Sequence, residues 1–248
     1  MQTALAIEDP TTSDLDGTNS STNSYTDANR RFDIYTDTNV YGMQKGEDGS
    51  IALLIKLAPL LNSYGFTING MVVGDTYEVY FTIGEYDFYM KFYVTRRAGQ
   101  NRWGKCELYY RPTGGSWSSG SSISEQKISN GTLYTSVDDN IGFKIVASTT
   151  NNWGYVKFIA KKTYLYDLGA RGSLVSNIYS RTLSYSTQMD RCPASGSVSW
   201  NLQGDIPDLP LGALLLALPL IALYAYLRRS RSGSTYGFKP NLQQLKTS

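Results

Sequence analysis

The chain has 248 residues, 41% of them hydrophobic and 13% aromatic, enough apolar side chain for one core of ordinary size, and its 23 basic and 21 acidic residues leave a net charge of +2. It contains no histidine, which excludes Ser-His-Asp and Cys-His nucleophilic sites, His-ligated zinc and His-ligated haem. Five cations, Arg228, Arg229, Arg231, Lys239 and Lys246, follow Leu227 with no acid among them, so the rest of the chain is slightly acidic and offers no basic face for nucleic acid.

Residues 1–31 are rich in Ser, Thr, Asp and Asn and have almost nothing to bury, so they read as a flexible leader that cannot offset its own ordering entropy. Ala4-Leu5-Ala6 carries the small-x-small pattern of a signal-peptidase site, and the leader is read as the remnant of a signal peptide. Asp14-Leu15-Asp16-Gly17-Thr18-Asn19 has the opening of a calcium loop without its closing Glu, so no metal is expected there. Asn19-Ser20-Ser21 and Asn130-Gly131-Thr132 are glycosylation acceptors in an exported chain, at Asn19 and Asn130.

From residue 32 the hydrophobic period becomes two. Tyr77, Val79, Phe81 and Ile83 alternate with Glu78, Tyr80 and Thr82, and after Gly84-Glu85 the residues Phe88, Met90, Phe92 and Val94 alternate with Tyr89, Lys91 and Tyr93. That is a hairpin of two long strands. Further strands are expected at 103–110, 133–137, 141–148, 155–166, 174–178, 182–187 and 197–202, with loops at 114–122 and 149–152. Residues 51–61 fit either a core strand or a short helix on the sheet edge. The expected fold is all-β, a two-sheet antiparallel sandwich over residues 32–203, then a stalk at 204–208, one transmembrane helix at 209–227 and a basic cytoplasmic tail at 228–248.

The span is nineteen uncharged residues, about 28 Å as a helix, close to the hydrocarbon thickness of a bilayer. Arg228, Arg229 and Arg231 follow at once, so the positive-inside bias puts the tail in the cytoplasm and the sandwich outside, with the lipid bilayer as the first partner. Cys106 and Cys192 lie 86 residues apart and leave two options. Either they close one long-range disulfide, contributing about 4 kcal/mol through loop closure, or they are two thiols with Cys106 buried in a strand.

The chain has 20 tyrosines. Tyr80, Tyr89 and Tyr93 fall opposite the apolar face, where they serve either as ordinary strand residues or as an aromatic platform for surface glycans or for neighbouring copies of the chain.

Ile206-Pro207-Asp208-Leu209-Pro210-Leu211-Gly212, followed by Leu and Ala and then by Arg228-Arg229, resembles the anchors that end many archaeal and bacterial cell-surface proteins. In its long paired strands, residues 74–200 are similar to the concanavalin-type jelly rolls. The glucanases of that fold carry Glu-x-Asp-x-x-Glu on one strand, because retaining hydrolysis needs a nucleophile and an acid together. This chain has Glu85-Tyr86-Asp87-Phe88-Tyr89-Met90, with Met90 in place of the last carboxylate. The expectation is therefore a non-catalytic cell-surface protein without cofactor, structural or adhesive, with a glycan-binding module as the alternative and a membrane-anchored glycosidase as a third reading. Asp138-Asp139-Asn140 reads as an acidic turn opening a strand rather than as a calcium loop.

Overall fold

A computed structural model describes residues 7, 18–19, 31–34, 41–45, 50–60, 65–172 and 174–201. The expected stalk, span and tail, with Arg228, Arg229 and Arg231, lie outside the described residues, as do Ala4-Leu5-Ala6 and Asp14 to Gly17. Among the described residues no helix is long and apolar enough to cross a membrane.

Two antiparallel sheets face each other. The smaller is built from β1 (Thr18–Asn19), β2 (Tyr41–Lys45), β3 (Ser50–Leu57), β8 (Leu133–Thr135), β9 (Ile141–Val146) and β10 (Gly154–Lys161), in the order β1-β2-β3-β10-β9-β8. The larger contains β4 (Asp75–Ile83), β5 (Tyr86–Ala98), β6 (Asn101–Pro112), β7 (Ser118–Lys127), β11 (Leu174–Ser184) and β12 (Thr187–Cys192), in the order β12-β11-β4-β5-β6-β7. A seventh strand, β13 (Val198–Asn201), pairs with the first half of β11, and β12 pairs with the second half.

The alternation read in the sequence decides which side chains enter the core. Phe81, Phe88 and Phe92 point inward and are at most 1% exposed, and Phe92 meets Phe143 of the facing sheet at 5.1 Å. The run 51–61 resolves as a strand as far as Leu57, for β3 (Ser50–Leu57) pairs with β2 on one side and β10 on the other. It is buried on both faces, which accounts for its unbroken apolar run. Gly84 sits in the turn of the β4–β5 hairpin at φ 60°, and a side chain there would collide with the Arg171 carbonyl oxygen. A glycine is the residue that this turn accepts.

Four local expectations change. The strand expected over 155–166 stops at Lys161, and α1 (Lys162–Asp167) follows, burying Leu165 while Tyr164 accepts a hydrogen bond from the Ser121 N–H at 2.6 Å. The alternating tyrosines imitate a strand, but the chain must here leave one sheet for the other. Residues 118–122, read as loop, begin β7, because the backbone of this serine-rich stretch is recruited by the ladder of β6. The two strands expected at 174–178 and 182–187 are one strand, β11, kept continuous across a register shift between Ser176 and Tyr179. In the leader, Ile7 is 5% exposed and packs on Ala52 and Ile159, its N–H donating to Asp139 at 2.6 Å, and Thr18–Asn19 pairs with β2.

Cys106 and Cys192 are both buried and are not bridged. They lie in the same sheet, on β6 and β12, with β5, β4 and β11 between them. Four strand spacings are about 19 Å, far beyond disulfide reach, so the bridge offered as one option is corrected to two core thiols. Burial pushes the Cys106 thiol well above its ordinary pKa, which makes it inert.

Candidate functional site

The outer face of the larger sheet carries the aromatic surface. Register places Tyr179 opposite Tyr80, Tyr80 opposite Tyr89 and Tyr89 opposite Tyr109, so four tyrosines from four strands form one row. Their ring centroids are 4.6, 5.0 and 4.6 Å apart with interplanar angles of 3°, 20° and 7°. Parallel rings one strand spacing apart have to stand on edge, face against face, since rings lying flat would need more width than a strand allows. The faces of Tyr80 and Tyr89 are thereby spent on their neighbours.

Charged groups close and fasten the row. Arg191 lies over the Tyr179 ring at 4.6 Å, and Arg181 donates to Glu78 at 2.6 Å and to the Tyr80 hydroxyl at 2.6 Å. Tyr80 in turn donates to Glu78 at 2.9 Å. At the other end Tyr109 and Tyr93 donate to the two oxygens of Glu107 at 2.7 and 3.0 Å, and Lys91 pairs with Glu107 at 3.4 Å. Burial alone would raise the Glu107 pKa, but the two tyrosine hydrogen bonds and the lysine charge outweigh it and hold the carboxyl below its usual range. Tyr89 is pushed up to about 12, first by burial and then by the negative charges of Glu78 and Glu107. Tyr93 is also pushed up to about 12, by burial and by its bond to Glu107.

Trp117, in the loop between β6 and β7, is perpendicular to Tyr89 at 4.7 Å. Both faces of Tyr89 are already taken, so the tyrosine presents its edge to the face of the indole, and Trp117 lies across the top of the row, 37% exposed. Arg111 stacks on this indole at 4.3 Å.

Beside Trp117 opens a groove of about 380 Å³, lined among others by Tyr80, Thr82, Asp87, Arg111, Asn177 and Tyr179. Asp87 organises its polar wall. One carboxylate oxygen accepts from Thr82 at 2.9 Å and Thr113 at 3.2 Å, and the other accepts from Arg111 at 3.1 Å. Asn177 donates to Thr82 at 3.3 Å and takes the left-handed conformation, φ 52°, at the register shift of β11. A bulge of this kind re-aims a side chain, here toward the groove.

Of the three tyrosines singled out in the sequence, Tyr80 and Tyr89 belong to the stack, while Tyr93 stands outside it under Lys91. Tyr109 was not among them, although its alternation with the inward Leu108 carries the signal that would have found it. Tyr179, Asn177 and Trp117 carried no local signal, since only strand order brings them to this face. Glu85 is in the exposed turn, whereas Asp87 is in the strand and partly buried.

The other candidates are elsewhere. Asn19 is in β1 opposite Tyr41. Asn130 is exposed in the turn after β7, where it accepts the Ala147 N–H at 2.8 Å. Asp138 is engaged by Ser121, Ser136 and Asn140, and Asp139 pairs with Lys161 at 3.0 Å. Among the described residues no group of three or more acidic or cysteine side chains is placed to hold a metal ion. No family model, curated protein or solved structure matches the chain.

Proposed function

We propose that the chain is a membrane-anchored cell-surface protein whose ectodomain, a jelly-roll-like sandwich, binds glycans without catalysis through the outer face of its larger sheet. The observation that carries this reading is the groove in which an exposed indole stands beside Asp87, Asn177 and Arg111. Sugars are bound by exposed aromatic surface for their C–H groups with directional polar partners for their hydroxyls, and the groove brings the two together. The membrane part of the proposal rests on the uncharged run 209–227 and on Arg228, Arg229 and Arg231. A purely structural role, lateral packing of copies through the same face, has less in its favour, because charged side chains such as Lys91, Glu107, Glu78 and Arg181 interrupt what would have to be a flat apolar patch.

Cells displaying the full chain are the direct test. Applied to a glycan array, they should retain a subset of glycans, and cells displaying Trp117→Ala should lose at least tenfold in retention at equal surface expression. Array binding no greater than that of cells lacking the protein rejects the reading.

A further inference from the structure

We infer that the groove beside Trp117 recognises a neutral sugar by two adjacent hydroxyls, a vicinal diol, without calcium; this rests on the glycan-binding reading above and specifies its ligand class. The hydrogen-bonding capacity left in the groove leads to it. One Asp87 oxygen already accepts two hydroxyls, from Thr82 and Thr113, while the other accepts Arg111 Nε alone among the described residues and keeps a lone pair. Arg111 has five N–H groups and spends one on Asp87 and one on the Gly115 carbonyl at 3.3 Å. Asn177 spends one amide hydrogen on Thr82, and its carbonyl oxygen accepts from Ser197 at 3.4 Å. What remains is one strong acceptor flanked by several N–H donors.

That set complements a pair of hydroxyls. One hydroxyl donates to Asp87, and the oxygens of the pair accept from Arg111 and Asn177. A lone hydroxyl would leave part of the set unpaired, which costs binding once water is excluded. The charge balance selects a neutral ligand. Asp87 and Arg111 compensate each other at 3.1 Å, so a sugar carboxylate or sulfate would find no uncompensated cation among the described residues lining the groove and would face Asp87. Calcium has no place in this scheme, because among the described residues Asp87 is the one acidic side chain lining the groove. The volume of about 380 Å³ has room for a sugar ring. The Asn177 backbone supports the assignment independently, for a left-handed, non-glycine residue in mid-strand is what turns the amide toward Thr82 and the groove.

The experiment uses the full chain in lipid nanodiscs on a glycan array, half of which has been treated with mild periodate and then borohydride to cleave vicinal diols. Binding to neutral glycans should fall at least tenfold on the treated half and should be unchanged by EDTA. Asn177→Gly, which keeps the left-handed backbone and removes the amide, should weaken binding about tenfold or more with an unchanged melting temperature. Thr182→Ser, a conservative change in the interior of the same strand, should leave binding as it is. Periodate-resistant binding, binding abolished by EDTA, or a preference for sialylated or sulfated glycans overturns the diol assignment while the glycan reading stands. If untreated wild-type protein binds no glycan at all, both fall.

Discussion

The β4–β5 hairpin carries two aromatic pairs one residue apart, and they differ in almost nothing but the side of the sheet. Phe81 and Phe88 stack at 5.3 Å and 15° on the inner face, and Tyr80 and Tyr89 stack at 5.0 Å and 20° on the outer face. The inner pair is sealed by the second sheet and is at most 1% exposed. The outer pair has Trp117 above it, and its row ends in Arg191 on one side and in the Lys91–Glu107 pair on the other. The same cross-strand geometry thus serves a dry core on one face and a half-wet, charge-fastened surface on the other. Stacking supplies order in both, but only the outer pair retains hydroxyls and exposed edges with which to meet a partner.

Mutation separates the two faces most strongly at the phenylalanines. Phe88→Ala should destabilise the fold by about 3 to 5 kcal/mol, since it removes a buried ring and leaves a cavity between the sheets. Denaturant unfolding measures this, and a loss under about 1 kcal/mol would mean that the two sheets are not packed as described.

Tyr89→Ser should cost less, about 1 to 3 kcal/mol, because it breaks two stacked contacts of about 0.5 to 1.5 kcal/mol each on a half-exposed face. Equal losses for Tyr89→Ser and Phe88→Ala would make the tyrosine row part of the core and end the distinction. The row should also show as coupling. In a double-mutant cycle with unfolding as readout, Tyr80→Ser and Tyr179→Ser should be non-additive by about 0.5 kcal/mol or more, whereas Tyr93→Ser, outside the stack, should add independently to Tyr179→Ser.

Alkali should act on the outer face as well. The folded pKa values of Tyr89 and Tyr93, pushed up to about 12, exceed the ordinary value of 10.0, so the stability they contribute is fully present below pH 10 and is lost as pH rises from there through about 12. Melting temperatures across that interval should fall, and Tyr89→Phe together with Tyr93→Phe should flatten the decline. Half-completion near pH 10 of the tyrosinate absorbance lost in the Tyr89→Phe, Tyr93→Phe variant, measured on the native protein, would refute the burial assigned to these rings.

The smallest effect is expected from reductant. With Cys106 and Cys192 on the inner face and three strands between them, dithiothreitol should leave the melting temperature unchanged, and both thiols should be alkylated only on unfolding. A drop in melting temperature would mean that a covalent link exists after all.

Alternation along single strands was legible in the residues themselves. A period of two sends Val79, Phe81, Phe88 and Met90 one way and Tyr80 and Tyr89 the other whatever the rest of the chain does, because successive side chains of a strand must leave opposite faces. Gly84-Glu85 likewise announced its turn locally. The uncharged run at 209–227 is a property of composition and needs no partner to be read.

Which strands become neighbours is decided by pairings across long stretches of chain, and those have no local signature. Ser118 to Ser122 look like a loop until β6 offers them a ladder, and 162–167 look like a strand until the chain has to cross between sheets. The two cysteines fit a disulfide in spacing and are separated by strand order. The groove belongs wholly to this second kind. Asp87, Arg111, Trp117 and Asn177 are up to ninety residues apart in the chain and meet because β11, β4, β5 and β6 are adjacent in one sheet. A strand's own residues determine what it shows on each face, and the free energy of the assembled sheets determines what stands next to it.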